Sequence, residues 1–145
     1  MWPKAFLIVG TLGAFVSVGI GWSVLRVQYP TFLVITSAVD FLPVHQLQES
    51  RIREVIPISF VNLVATPAIC WFAPADERVW ADTAMLGLIV ALAWTIGVQI
   101  PAHLLLDREG FNRKLLMRLI RNEWVRFLAI VVQALGYFAL LLANL

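Results

Sequence analysis

Cysteine, histidine and charged residues are all scarce in this chain. Its 145 residues include one cysteine, Cys70, and two histidines, and 14% of them are charged, against about 25% in an average soluble domain. With a single thiol no internal disulfide can form. The sequence also lacks a phosphate-binding glycine loop, a CxxC pair, a nucleophile elbow and an HExxH motif, so none of the enzyme classes that these motifs mark is indicated.

Apolar residues are abundant instead, at 61% of the chain, and four stretches contain no Asp, Glu, Lys or Arg. These stretches are residues 5–25, 55–75, 83–106 and 127–145. Each is near or above the roughly 20 residues that a helix needs to cross a bilayer. The sequence therefore predicts an all-α fold, an integral membrane four-helix bundle that forms one domain over residues 1–145, with helical extensions on one side.

The basic residues lie mainly on one side of this predicted bundle. Of the 11 Lys and Arg residues, only Lys4 and Arg78 fall in the N-terminal region or the connection between the second and third stretches, and the other nine fall in the two remaining connections. By the positive-inside rule those two connections are cytoplasmic. We therefore expect a bacterial inner-membrane protein with both termini outside. The net charge of +2 does not favour a nucleic-acid partner.

Two helical extensions are expected on the cytoplasmic side. Asp40 is the predicted N-cap of a helix that runs through His45 towards the second stretch. From Gly110, basic and apolar residues alternate at helical spacing, and with the fourth stretch this helix would exceed 30 residues, or about 50 Å. We expect anionic lipid headgroups, or alternatively an acidic partner or substrate, to bind its basic side chains, which are Arg113, Lys114, Arg118, Arg121 and Arg126.

Small and polar residues predict how the helices pack. The first stretch carries a small-residue seam at Gly10, Ala14, Ser17 and Gly21, which suits close packing inside the bundle or, alternatively, an oligomer contact. Asn62 and Thr66, and Gln99 in the third stretch, are expected to form a polar core that hydrogen-bonds across the bundle. Trp94 is also expected to point inward and to find an acceptor.

The two histidines are the strongest candidates for chemistry. Both map to the cytoplasmic side, and each has a carboxylate four residues later, Glu49 after His45 and Asp107 after His103. This spacing puts imidazole and carboxylate on neighbouring turns of one helix. Two such pairs suit a zinc, iron or manganese site. Ordinary hydrogen bonds at a helix end, a proton-handling group, or a single haem or chlorophyll-type pigment are alternatives. One shared metal requires ring nitrogens about 3 to 4.5 Å apart.

A longer motif resembles a known group. The stretch from Trp94 to Gly110, followed by Asn122-Glu-Trp-Val-Arg126, and the earlier segment with Phe41–His45, Arg51-Ile52 and Pro57, resemble small four-helix bacterial membrane proteins of uncharacterised function. These are distantly similar to the anthrone-oxygenase-like membrane family. The resemblance covers roughly residues 22–130, and Glu123 departs from it. It implies a cytoplasmic-side site formed by Gln99, Pro101, His103, Asn122, Trp124, Arg126 and His45.

Two functions follow as expectations. The first is a non-enzymatic accessory subunit that associates laterally with other membrane proteins, with itself or with a pigment-bearing or cofactor-bearing complex. The alternative is a metal- or haem-dependent membrane oxidoreductase with a cytoplasmic-side site at His45 and His103. The separation of the two imidazoles discriminates between them.

Overall fold

The computed structural model describes residues 4–35 and 37–145, apart from the side chains at 38, 55, 56, 58 and 59, and this part of the chain is helical without strands. The helices are α1 (Lys4–Ser23), α2 (Tyr29–Val34), α3 (Ala38–Phe72), α4 (Arg78–Trp94), α5 (Ile100–Glu109) and α6 (Arg113–Ala143). Two π-helical segments, Val24–Gln28 and Thr95–Gln99, join α1 to α2 and α4 to α5. The predicted all-α class is confirmed.

In the part of the chain that the structure describes, three helical runs are long and apolar enough to cross a membrane. They are Lys4–Val34, Arg78–Glu109 and Arg113–Ala143, and they hold the predicted stretches 5–25, 83–106 and most of 127–145. The stretch 55–75 includes the end of α3, where Phe60–Phe72 is a shorter apolar helix. Its role as a fourth span stays a prediction.

The two predicted extensions are continuous with the apolar helices that follow them. α3 runs for 35 residues and α6 for 31, as expected from the sequence. The predicted cap of α3 was wrong, because α3 begins before Asp40 and the Ser37 hydroxyl accepts from the Val39 N–H at 3.2 Å. Asp40 lies in the first turn of α3, where a carboxylate interacts favourably with the positive end of the helix dipole.

Helices α1, α3, α4 and α6 pack so that each contacts two others. α6 lies against α1 and α4, and α3 lies against the same two helices. Sequential neighbours run in opposite directions: the Asn144 amide donates to the Glu77 carboxylate at 2.9 Å, which brings the end of α6 to the start of α4. At the other end, His45 of α3 meets Asp107 of α5. The two histidine-bearing segments therefore share one end of the fold.

The predicted small-residue seam of α1 is buried against other helices of the same chain. Its four members are all buried, and a methyl group added at Gly10 would clash with Tyr137, while one at Gly21 would come within 3.1 Å of Phe127. Both aromatic residues belong to α6. The glycines therefore let α6 approach α1 closely, as small residues do between membrane helices.

A second close contact, between α4 and α6, was not predicted. A Cβ atom at Gly87 would lie 2.5 Å from the backbone nitrogen of Gln133, and one at Gly136 would lie 2.7 Å from that of Ala84. Backbone atoms cannot rotate away as a side chain can. The spacing of the two helices thus depends on these two glycines.

Candidate metal centre

His45 is fixed in the wall of an aromatic and aliphatic cluster. The side chain is fully buried. Phe41 stacks on the imidazole with ring centroids 5.4 Å apart, and Phe32 contacts it at 5.3 Å. Both phenylalanines belong to a core formed by α2, α3, α5 and α6. This packing leaves the imidazole few alternative rotamers, so its two nitrogens have defined directions.

The two histidines meet, and their nitrogens have distinct partners. His45 Nε2 lies 3.0 Å from His103 Nδ1, and the rings stack with centroids 5.2 Å apart. His45 Nδ1 lies 3.0 Å from Asp107 Oδ1. Because a carboxylate only accepts, it fixes the proton on Nδ1 and leaves the Nε2 lone pair directed at His103. The 3.0 Å separation satisfies the distance that one shared metal requires.

Glu49 completes a triangle of ligand atoms. Its Oε1 atom lies 3.9 Å from His45 Nε2 and 3.3 Å from His103 Nδ1. The two imidazoles and this carboxylate offer one ligand atom each within 4.8 Å of one another. The sequence predicted Glu49 and Asp107 together as the carboxylates of the site. The structure gives them different positions, because Glu49 contributes an atom to the triangle and Asp107 contacts the outer nitrogen of His45.

The dimensions of this triangle match a first-row divalent metal. A circle through three points 3.0, 3.3 and 3.9 Å apart has a radius of about 2.0 Å, and Zn–N and Zn–O bonds are about 2.0 to 2.2 Å. An ion near the centre of the triangle therefore reaches all three atoms at bonding distance. Two imidazoles and a carboxylate suit zinc, iron or manganese, and three protein ligands leave positions for water or substrate.

Each ligand has a second partner that orients it. Asp107 holds His45, the Tyr29 hydroxyl lies 3.2 Å from His103 Nε2, and Arg53 Nη2 lies 3.4 Å from Glu49 Oε2. A hydrogen bond to the outer nitrogen of a ligating histidine is the usual support of metal sites, because it fixes tautomer and ring orientation. This arrangement favours a bare ion over haem or pigment: a porphyrin needs an open face at the ligating nitrogen, whereas here the inner nitrogens face each other.

The two π-helical segments place the outer partners. Tyr29 follows one segment, and its N–H donates to Val24 O, while Ile100 follows the other and donates to Thr95 O. These bonds span five residues, the π pattern that often occurs at functional sites. A proline follows each segment closely, at positions 30 and 101. The Tyr29 hydroxyl donates to Gln99 Oε1 at 3.5 Å, so the segments meet beside His103.

A cavity of about 410 Å³ opens beside the triangle. Its polar lining includes His103, Glu49, Asp107, Gln99 and Thr95. The apolar remainder comprises Ile20, Val24, Ile52, Ile100 and Leu104. Its volume lies within the range of about 300 to 1,000 Å³ that is usual for small-molecule sites.

A buried ion pair forms part of the same wall. Glu123 is fully buried, and Arg126 Nε lies 2.9 Å from both of its carboxylate oxygens, with a further contact from Arg126 Nη2. Both residues line the cavity. The sequence placed Arg126 with the lipid-binding cations, and it did not predict that Arg126 would pair with a buried Glu123 beside a cavity. The signal for a different role was their spacing of three residues on the apolar side of the helix.

The remaining predicted residues lie elsewhere. Four cations of the predicted docking set are exposed and border a shallow surface hollow; they are Arg113, Lys114, Arg118 and Arg121. Thr66 is buried and contacts the Tyr137 hydroxyl at 2.9 Å, while the Gln133 amide donates to Thr66 Oγ1 at 3.1 Å. Asn62 is buried against Gly13 of α1. The predicted polar core is thus divided, since Gln99 belongs to the cavity.

Two further expectations have mixed outcomes. The Trp94 indole nitrogen is buried without a partner among the described residues, so the expectation that it finds an acceptor was wrong. Of the positions implied by the resemblance, Gln99, His103 and Arg126 line the cavity and His45 lies behind it. Pro101 and Trp124 are exposed and Asn122 is half-buried, and none of these three lines the cavity.

No protein-family model, curated protein or solved structure gives a significant match to the sequence or the fold.

Proposed function

We propose that this chain is a metal-dependent enzyme of the bacterial inner membrane, in which His45, Glu49 and His103 bind one divalent transition metal. It spans the membrane as a bundle of four helices, with both termini outside and the metal site at the cytoplasmic end. The four exposed cations of α6 bind anionic headgroups there. The asymmetric distribution of Lys and Arg supports this orientation.

The observation that carries the proposal is the convergence of His45 Nε2, His103 Nδ1 and Glu49 Oε1, with separations of 3.0, 3.3 and 3.9 Å. Ionisable residues within a membrane protein are costly to bury and are by default candidates for function. Here they come from two helices and are supported by Asp107 and Tyr29. A structural hydrogen bond between two helix ends does not require a carboxylate behind one imidazole and a hydroxyl behind the other.

The bound metal decides the reaction class. Iron or manganese with two histidines and one carboxylate would support the oxidoreductase expected from the sequence, since such sites keep open positions for an oxidant and substrate. Zinc would instead activate water or polarise a carbonyl group. In both cases the protein supplies the same parts: three ligands, an orienting partner for each of them, and a cavity on the open side.

Metal analysis of the protein purified in lipid nanodiscs tests the proposal. We expect about one equivalent of zinc, iron or manganese per chain, retained after dialysis. Glu49→Gln should remove this metal, and Glu54→Gln is the matched control, because Glu54 lies on the same helix but is 64% exposed and pairs with Arg51. Equal metal content in both variants, or no uptake by the wild type from any of the three ions, would overturn the proposal.

The accessory-subunit hypothesis and the resemblance to anthrone-oxygenase-like proteins stay predictions. An oxidative activity agrees with that resemblance, but a shared fold alone does not define a reaction. Co-purification of a larger assembly whose loss destabilises this chain would favour the accessory role. A metal-free chain within such an assembly would favour that role over the enzyme.

A further inference from the structure

We infer that the cavity beside the metal site takes a lipid-soluble amphiphile, whose oxygen-bearing head group reaches the metal while its apolar body lies along α5 towards the bilayer. This inference rests on the proposed function and names the substrate class of that site. It follows from the mixed polar and aliphatic lining of the cavity, the exposed apolar residues at its mouth and one unpaired polar group in its wall.

The cavity combines polar groups of the metal site with an aliphatic lining. Glu49 and His103, two of the proposed metal ligands, line it, so a group inside it can reach the open positions of the metal. Five aliphatic side chains line it as well; they are Ile20, Val24, Ile52, Ile100 and Leu104. A ligand that fills this space buries an apolar body and presents a polar group at one end.

The mouth of the cavity lies on the lipid-facing side of a predicted span. Ile100 and Leu104 line the cavity and are also 48% and 53% exposed. Both belong to the apolar run Arg78–Glu109. Arg53 of α3, whose side chain is 74% exposed, also lines the cavity. An amphiphile lying in the bilayer with its head at the interface would meet this mouth in the orientation that the cavity needs.

Gln99 supplies an unused donor in the wall. The side chain is 5% exposed, its Nε2 atom has no partner among the described residues, and it lines the cavity. A buried donor without an acceptor costs about 1–3 kcal/mol. An oxygen of a bound head group would satisfy it beside the metal.

The charges in the wall favour a head group without excess negative charge. Arg126 is matched by Glu123, and Arg53 is matched by Glu49. No cation among the residues that line the cavity is left to neutralise a phosphate. The head group is therefore a carbonyl, hydroxyl or similar oxygen that binds a metal and accepts a hydrogen bond.

Two hydroxamates with the same head and different tails test the inference. The protein in nanodiscs is loaded with Co²⁺, whose visible bands report the metal site by themselves, and is then titrated with octanohydroxamate or acetohydroxamate. We expect octanohydroxamate to bind more tightly by at least about tenfold, because its tail buries apolar surface in the cavity.

A matched pair of variants separates the cavity from simple partition into lipid. Ile100→Trp should fill the mouth, weaken octanohydroxamate by about tenfold and leave acetohydroxamate within about twofold. Ile96→Trp, four residues earlier and 65% exposed but outside the cavity lining, should change neither. Leu104→Trp should repeat the result of Ile100→Trp from the neighbouring turn.

The outcomes distinguish this inference from the proposed function. Two results would overturn the substrate class but not the metal site. One is cobalt bands with equal affinity for both hydroxamates, and the other is an octanohydroxamate affinity that Ile100→Trp and Leu104→Trp leave unchanged. Absence of cobalt bands would overturn both. Tail-dependent binding that only the cavity variants weaken supports the inference.

Discussion

Replacing Asp107 with asparagine perturbs the metal site without removing a ligand. The wild-type carboxylate accepts from His45 Nδ1 at 3.0 Å, which keeps the Nε2 lone pair directed at the metal position. An asparagine has nearly the same shape but no charge, and it can present its NH₂ group. That orientation would demand a lone pair on Nδ1 and move the proton to Nε2, where it blocks the metal.

The structure sets the size of the effect. Loss of an outer partner of a metal ligand typically costs 10- to 100-fold in affinity, or about 1.4 to 2.7 kcal/mol. Asp107 is 30% exposed at the cavity, so solvent screens part of its charge. His45 itself is fully buried, so water cannot replace the lost partner and the affinity must fall. Because solvent already screens Asp107, we expect this loss of affinity to lie near the lower end of the range, at about 10- to 30-fold.

Competition against a chromophoric chelator measures this loss directly. Zn²⁺ affinity is compared for the wild type, Asp107→Asn and Glu109→Gln in the same nanodiscs. Glu109 is the control because it lies two residues along α5, is exposed, and accepts from Asn112 at 3.1 Å. An affinity for Asp107→Asn within about twofold of the control would refute the reasoning that this carboxylate sets the tautomer of a ligand.

Three other substitutions give distinct outcomes. Gly87→Ala should lower the unfolding free energy by about 1–3 kcal/mol, because the added Cβ would meet backbone atoms of α6. Gly19→Ala is the control, since it has open space around it and should not lower this free energy. Equal melting temperatures of the two variants would contradict the prediction. Tyr29→Phe should weaken Zn²⁺ binding by about 3- to 10-fold through loss of the hydroxyl behind the second imidazole, measured by the same competition. Glu123→Ala should cost about 3 kcal/mol in thermal unfolding, at the lower end for a broken buried pair, because the Arg126 side chain is 22% exposed. A double Leu/Met replacement of the pair should recover most of this loss, and a small loss in the single variant would show that the pair is solvated.

The helical architecture could be predicted because its signals are local. Runs without charge mark the apolar helices, and helical spacing of basic residues after Gly110 marks the extension that α6 contains. The start of α3 was less certain, since Ser37 and Asp40 are both good capping residues. The contact of α4 with α6 through Gly87 and Gly136 was missed, because a glycine pair on two different helices leaves no pattern within either one.

The candidate site could be predicted only as a location. Both histidines map to one end because the topology alternates sides, and their carboxylates follow from a spacing of four. Which nitrogen faces which partner depends on how α3 and α5 are rotated, and sequence spacing does not determine that rotation. The burial of Glu123 was missed because arginines surround it in sequence, although it lines the cavity together with Arg126.

The π-helical segment before Pro101 explains why one row of residues reaches the site at all. Thr95, Gln99, His103 and Asp107 are spaced by four, and in a regular α-helix each such step rotates the side chain by about 40°, or about 120° over the row. All four nevertheless line one cavity. The segment Thr95–Gln99 holds more residues per turn than an α-helix, so the step across it rotates backwards and offsets the drift. Pro101, which has no N–H to donate, favours the departure from regular hydrogen bonding here. This departure from a regular α-helix thus brings the metal ligand His103, the carboxylate of Asp107 that orients His45, and the unpaired amide of Gln99 to one face.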